Sequence, residues 1–142
     1  MTDFVLDTSA VLAVLADEPG AERVTTLLRS TEIEAGAGER VERQILLPFM
    51  ALMELEYLTR RRVGPAEARR ALQLVQSWPV TVVESSIPWR HEAARVKAST
   101  PLSVADAWIC SLALLHDAVL VHKDPEYDAV EGLLAERLPF RS

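Results

Sequence analysis

A chain of 142 residues, 49% hydrophobic and 25% charged, has the size and balance of one folded domain that buries about two-thirds of the surface its unfolded form exposes. The net charge of −6 argues against nucleic-acid binding by bulk electrostatics, but four acids neutralised at one cation would bring it to about −2, so charge leaves the partner open. The single cysteine, Cys110, excludes an internal disulfide, no apolar run reaches the roughly 18 to 20 residues of a membrane span, and the opening Met-Thr-Asp has no basic leader; the expectation is a soluble, cytoplasmic protein.

The first predicted strand is Asp3 to Leu6, in the stretch FVLDTSA, and Asp7 stands where it stops. A helix follows with Val11, Leu12, Val14 and Leu15, broken by Asp17-Glu18-Pro19-Gly20. Pro19 is expected to open a second helix, with Val24, Leu27 and Leu28 on one face. From Thr31 to Arg43 the periodicity dissolves into TEIEAGAGERVER, which reads as a loop. Gln44 to Leu47 reads as a buried strand ended by Pro48, and Phe49 to Arg62 as a helix.

On that helix Met50, Ala51, Tyr57 and Leu58 lie three or four residues from Glu54 and share its face, whereas Glu56 sits about 200 degrees around and points to solvent. A carboxylate on an apolar stripe must be protonated, paired or bound to a cation. Arg60, Arg61 and Arg62 close the helix where cations suit its dipole, and Gly64-Pro65 breaks it. A helix from Pro65 to Ser77, a strand from Val80 to Val83 and a helix from Pro88 to about Ala98 come next. Ser103 is expected to cap a helix through Leu115 that carries Asp106 in its first turn; Val119 to Val121 is a strand leading to Asp124, and Arg137 to Phe140 an edge strand. The alternation gives an α/β fold: a parallel central sheet of four to five strands flanked by helices, in one domain spanning 1–142.

Asp7, Glu54, Asp106 and Asp124 occupy positions that a parallel sheet can bring to one rim. Carboxylates without a His or Cys cluster suit a hard cation such as Mg²⁺ or Mn²⁺ better than zinc. Capping competes at three of the four: Asp7 before a helix, Asp106 three residues after Ser103, Asp124 before Pro125. Glu54 has no such alternative except a buried ion pair with an arginine. His91, His116 and His122 are scattered, Cys110 has the spacing of a buried inert thiol, and Trp78, Trp89 and Trp108 read as core or lid residues.

The motifs VLDTSA, MELEYL, LSVADAWI and LVHKDPEY, in this order, resemble those of PIN-domain ribonucleases, specifically VapC-type toxins of toxin–antitoxin pairs, over nearly the whole chain. The resemblance implies a three-layer α/β/α fold with Asp7, Glu54, Asp106 and Asp124 as catalytic and metal-holding acids, and Thr8 or Ser9 as the hydroxyl beside the first. His122 stands where family members often carry a small hydroxyl residue, and Asp128 reads as a surface residue. Also implied are Mg²⁺- or Mn²⁺-dependent endonucleolytic hydrolysis of single-stranded RNA, one cation activating water and a second stabilising the leaving oxygen, a homodimer, and a cognate antitoxin. Thr8, Ser9, Arg60, Arg61 and Arg62, with Arg90 and Arg95, are the expected RNA contacts. An aspartate-nucleophile phosphatase would place a second Asp where Ser9 stands, and a phospho-receiver would want paired acids after the first strand, although Lys123 suits it. A catalytically silent partner-binding module of the same fold is the non-enzymatic alternative.

Overall fold

The computed structural model describes residues 2–36 and 43–140. The elements run β1 (Phe4–Leu6), α1 (Thr8–Leu15), α2 (Ala21–Gly36), β2 (Ile45–Pro48), α3 (Phe49–Arg62), α4 (Pro65–Gln76), β3 (Thr81–Val83), α5 (Ile87–Ser99), α6 (Val104–His116), β4 (Val119–His122), a 3-10 turn Pro125–Ala129, and β5 (Ala135–Arg137). All five strands lie in one sheet in the order β3-β2-β1-β4-β5, every pairing parallel. The register sets Val5 opposite both Leu46 and Leu120.

Consecutive strand residues face opposite sides of a sheet, so burial of Phe4, Val5 and Leu6 in succession, and of Ile45, Leu46 and Leu47, requires cover on both faces. The helices supply it, giving the three layers expected. The most deeply set is α6: Ile109, Cys110, Ser111, Leu112 and Ala113 are all buried, so only its ends reach the surface. Trp89 of α5, 1% exposed, meets Phe49 and Trp108 edge-on at ring-centroid distances of 5.4 and 5.0 Å, and its indole N–H donates to Ser111 Oγ at 2.9 Å and to the Trp108 carbonyl at 2.8 Å. These contacts lock α5 and α6 onto the start of α3.

Three boundaries differ from the sequence expectation by more than one residue. The second helix opens at Ala21 rather than Pro19, because Gly20 takes φ +97° and its missing Cβ would come within 3.0 Å of Leu138 Cβ. That helix continues to Gly36, so the first six residues expected as loop from Thr31 to Arg43 are helical; residues 37–42 of that stretch lie outside the described residues. The edge strand pairs at Ala135–Arg137 rather than Arg137–Phe140, with Leu138 N donating to the His122 carbonyl at 2.7 Å. Among the described residues no single helix is long and apolar enough to cross a membrane.

The sheet order fixes where a site can form. From β1 the chain steps through β2 to β3 on one side, then returns to place β4 and β5 on the other, so the order reverses between β1 and β4. Connections leave the carboxyl ends of those two strands in opposite directions and open a crevice there. Asp7 ends β1; Asp124 follows β4.

Candidate carboxylate site at the switch point

Asp7 caps α1, accepting from Ser9 N at 3.0 Å, and is only 5% exposed. Its Oδ2 also accepts from Ser9 Oγ at 2.5 Å, and its Oδ1 accepts from the Tyr127 hydroxyl at 2.6 Å. Ser9 Oγ in turn accepts from Lys123 N at 3.0 Å, stitching the carboxyl end of β1 to that of β4. Asp106 lies in the first turn of α6, whose N-cap Ser103 accepts from Asp106 N at 3.1 Å; its Oδ1 is 3.1 Å from the same Tyr127 hydroxyl. Asp124 caps the 3-10 turn through Glu126 N at 2.9 Å, and its own N–H donates to His122 Nδ1 at 2.9 Å. Capping and site geometry therefore coincide at Asp7 and Asp124, while at Asp106 the cap is Ser103.

Glu54 projects from the middle of α3. Its Oε1 accepts from Thr8 Oγ1 at 2.6 Å, and the ion pairs formed among the described residues do not include it, so a hydroxyl stands where the sequence allowed an arginine. Burial raises its pKa, the Thr8 hydrogen bond opposes this, and the charge of Asp7 adds to the rise. Asp106 is pushed up to about 6, first by burial, then by Asp7, with Glu54 and Asp124 adding smaller repulsions against the Tyr127 hydrogen bond. Asp106 thus feels the other three predicted acids, and Glu54 feels Asp7, as carboxylates gathered in one partly buried place do. Tyr127 stays a neutral phenol, since burial beside Asp7 and Asp106 raises its pKa far above the usual value. Its one proton serves the nearer acid, Asp7; the contact with Asp106 is favourable when Asp106 keeps its own proton.

Three carboxylates among the described residues, Asp106, Asp124 and Glu126, have oxygens within 4.8 Å of one another. Glu126 was not singled out from the sequence; the tight 3-10 turn after Asp124-Pro125 brings it back beside Asp124, and the D-P-E spacing was the available signal. Tyr127 was missed too, because a tyrosine in a buried position reads as core until its hydroxyl's partners are known. An all-oxygen donor set of carboxylates fits Mg²⁺ or Mn²⁺, which prefer hard oxygen ligands, and offers zinc none of the nitrogen or sulfur donors it favours.

The remaining candidates divide. Thr8 and Ser9 spend their hydroxyl protons on Glu54 and Asp7. Arg60 pairs with Glu56 at 3.3 Å and Arg61 lies 5.6 Å over the Tyr57 ring; both line a mainly apolar cleft of about 610 Å³ with Met50, Met53, Tyr57 and Val104, and Glu54 joins that cleft to the acids. Arg62 faces a second cleft beside Ser9 and Lys123, where the buried Lys123 ammonium pairs with Glu18 at 3.2 Å. Arg95 is paired with Glu92, and Arg90 lines a shallow hollow with Lys97 and Trp108. His122 is buried, its pKa lowered by burial, and its ring meets the Tyr127 ring edge-on at 4.9 Å. Asp128 is exposed, and the buried Cys110 thiol is pushed up to about 12, chiefly by burial, which leaves it unreactive.

The parallel α/β sheet carries carboxylates gathered at its switch point, an oxygen-rich arrangement of the kind that divalent cations accept. The chain belongs to the PIN domain family, whose model matches residues 4–133. Its fold is similar to VapBC2 from Rickettsia felis, solved bound to a promoter DNA fragment (16% identity, TM-score 0.75, covering 97% of this chain and 100% of that one). It is also similar to VapC20 from Mycobacterium tuberculosis, a sarcin-ricin loop cleaving toxin (18%, 0.66, 96% and 99%), and to a toxin–antitoxin complex from Klebsiella pneumoniae (17%, 0.59, 92% and 94%). No curated protein matches the chain in sequence.

Proposed function

We propose that the protein is a Mg²⁺- or Mn²⁺-dependent endoribonuclease that hydrolyses phosphodiester bonds in single-stranded RNA and acts as the toxin of a toxin–antitoxin pair. The observation that carries this is the gathering of Asp7, Glu54, Asp106 and Asp124 at the switch point, where burial first, and then the charges of the other three acids, push the Asp106 carboxyl up to about 6. Such crowding destabilises the empty site and is relieved by a cation. Asp106, Asp124 and Glu126 supply converging oxygens and Asp7 the neighbouring one. A bound divalent cation supplies charge neutralisation at the phosphate and a more acidic water. Glu54, fixed by Thr8, would accept a proton from that water, and the rise in its pKa, caused chiefly by burial, makes it the stronger base.

RNA rather than another phosphodiester is supported by VapC20, a sarcin-ricin loop cleaving toxin of similar fold, and an antitoxin partner by the toxin–antitoxin complex of similar fold. The apolar cleft beside Glu54 suits such a partner: Met53 is 56% exposed and Tyr57 36%, and Glu54 lies at the cleft wall, so a chain bound there would also cover the acids. A homodimer is part of the same proposal, tested by light scattering of the purified protein. The deciding experiment is cleavage of unstructured RNA with Mn²⁺ or Mg²⁺. Chelation should abolish it and Asp7→Asn should lower it by at least about 100-fold, the scale of losing one ligand-shell group; cleavage that persists through both would refute the reading.

A further inference from the structure

We propose that Tyr127 is a positioning residue of the ion site, its hydroxyl setting the orientation of Asp7 and keeping Asp7 and Asp106 at ligand spacing. The proposal rests on the metal-dependent reading above. A carboxylate offers about four lone-pair positions. At Asp7 three are taken: Oδ2 accepts from Ser9 N and Ser9 Oγ, and Oδ1 accepts from the Tyr127 hydroxyl. One position on Oδ1 is left for a cation. Without Tyr127, Oδ1 loses the one donor that the described residues give it, and the carboxylate is free to turn about Cβ–Cγ within the limits set by Ser9.

The hydroxyl also sits between two carboxyl groups. It is 2.6 Å from Asp7 Oδ1 and 3.1 Å from Asp106 Oδ1, and Tyr127 is 2% exposed. One oxygen in contact with both carboxyls fixes the spacing between the end of β1 and the start of α6. The ring cannot drift: His122 meets it edge-on at 4.9 Å, Tyr127 N donates to the Asp124 carbonyl at 3.3 Å, and Val130 N donates to the Tyr127 carbonyl at 3.0 Å. Tyr127 thereby joins the ligands from β1 and α6 to the turn that carries Asp124 and Glu126. Phenylalanine fills the same space and lacks only the hydroxyl, so the substitution isolates that one atom.

The test is Mn²⁺ binding to Tyr127→Phe followed by calorimetry, alongside RNA cleavage and denaturant unfolding. The expected result is Mn²⁺ affinity weakened about tenfold, a loss typical of groups that hold metal ligands in place, with kcat reduced and KM for RNA unchanged. Affinity within twofold of the unsubstituted protein, or tighter, overturns the proposal, as does a loss confined to unfolding stability. Should Tyr127→Phe fail to fold, 3-fluorotyrosine is incorporated in a Tyr57→Phe background, the chain having two tyrosines, so that ring and hydroxyl remain and only donor strength changes. A threefold or larger change in Mn²⁺ affinity against the unlabelled background supports the role; no change overturns it. If the unsubstituted protein binds no Mn²⁺, the metal-dependent reading itself has failed, an outcome distinct from equal binding by the two proteins.

Discussion

Asp7 does two jobs with one carboxylate. Oδ2 faces the amide and hydroxyl of Ser9 and closes the first turn of α1, while Oδ1 faces Tyr127 and the other acids. Such doubling explains why capping and ligand readings could not be separated from sequence: the same residue types at the same offsets satisfy both. Glu54 was the legible exception, since a mid-helix acid on an apolar face has no local use, and its surroundings did require an explanation. The crowding has a measurable sign. With its pKa raised to about 6 against an ordinary value near 3.8, Asp106 holds a proton in the folded state that the unfolded chain has already lost. Its contribution to stability is therefore intact below about pH 4, falls as pH rises through the interval to about 6, and then levels off. His122, with a lowered pKa, acts in the opposite sense below about 6.5, so the Asp106 share is the difference between the protein and Asp106→Asn in melting curves run with chelator from pH 4 to 7.5. Added Mn²⁺ should raise the melting temperature most above pH 6, where Asp106 has given up its proton. A backbone prediction belongs at the same scale: Gly20→Ala forces a side chain into φ +97° and against Leu138, and should cost about 1–3 kcal/mol in urea unfolding.

Among the elements, strand and helix alternation was readable because the periods differ and the buried strands are short apolar runs bounded by turn residues. What escaped was set by contacts distant in sequence. The helix after Gly20 passes through Thr31 into a segment with little apolar periodicity, where periodicity alone gave no reason to continue it. The last strand is a three-residue edge whose exposed pattern carries no alternation signal; it is defined by pairing with β4 and by the ion pair of Glu136 with Arg23 at 2.8 and 3.0 Å. Trp89 shows how much one side chain can hold between elements. Trp89→Ala would empty the space between α5, α6 and the start of α3 and leave Ser111 without its indole donor. The expected loss is about 3–5 kcal/mol by denaturant unfolding, with the transition still cooperative.

For the molecule as a whole, the order β3-β2-β1-β4-β5 dictates that acids from four separate stretches, the first and last more than a hundred residues apart, meet at one crevice. The net charge of −6 misled only until those acids were counted together. The apolar cleft of Met50, Met53, Tyr57 and Val104 runs from that crevice along α3, and a partner that covers it should be displaced by a charge placed there. Met53→Glu is expected to weaken binding of the cognate antitoxin by at least tenfold in a pull-down titration with purified components, with unfolding stability changed by less than about 0.5 kcal/mol, as for an exposed position.

The short edge strand β5 lies beyond residue 133, where the family match ends, yet it is fastened to the one residue whose carbonyl and imidazole face opposite tasks. His122 accepts from Leu138 N through its backbone and from Asp124 N through its ring. A pull on β5 would thus be transmitted in two bonds to Asp124. A fused tag, a protease or a partner competing for the sheet edge that peels β5 away is therefore expected to shift Asp124 through His122, although it touches none of the acids.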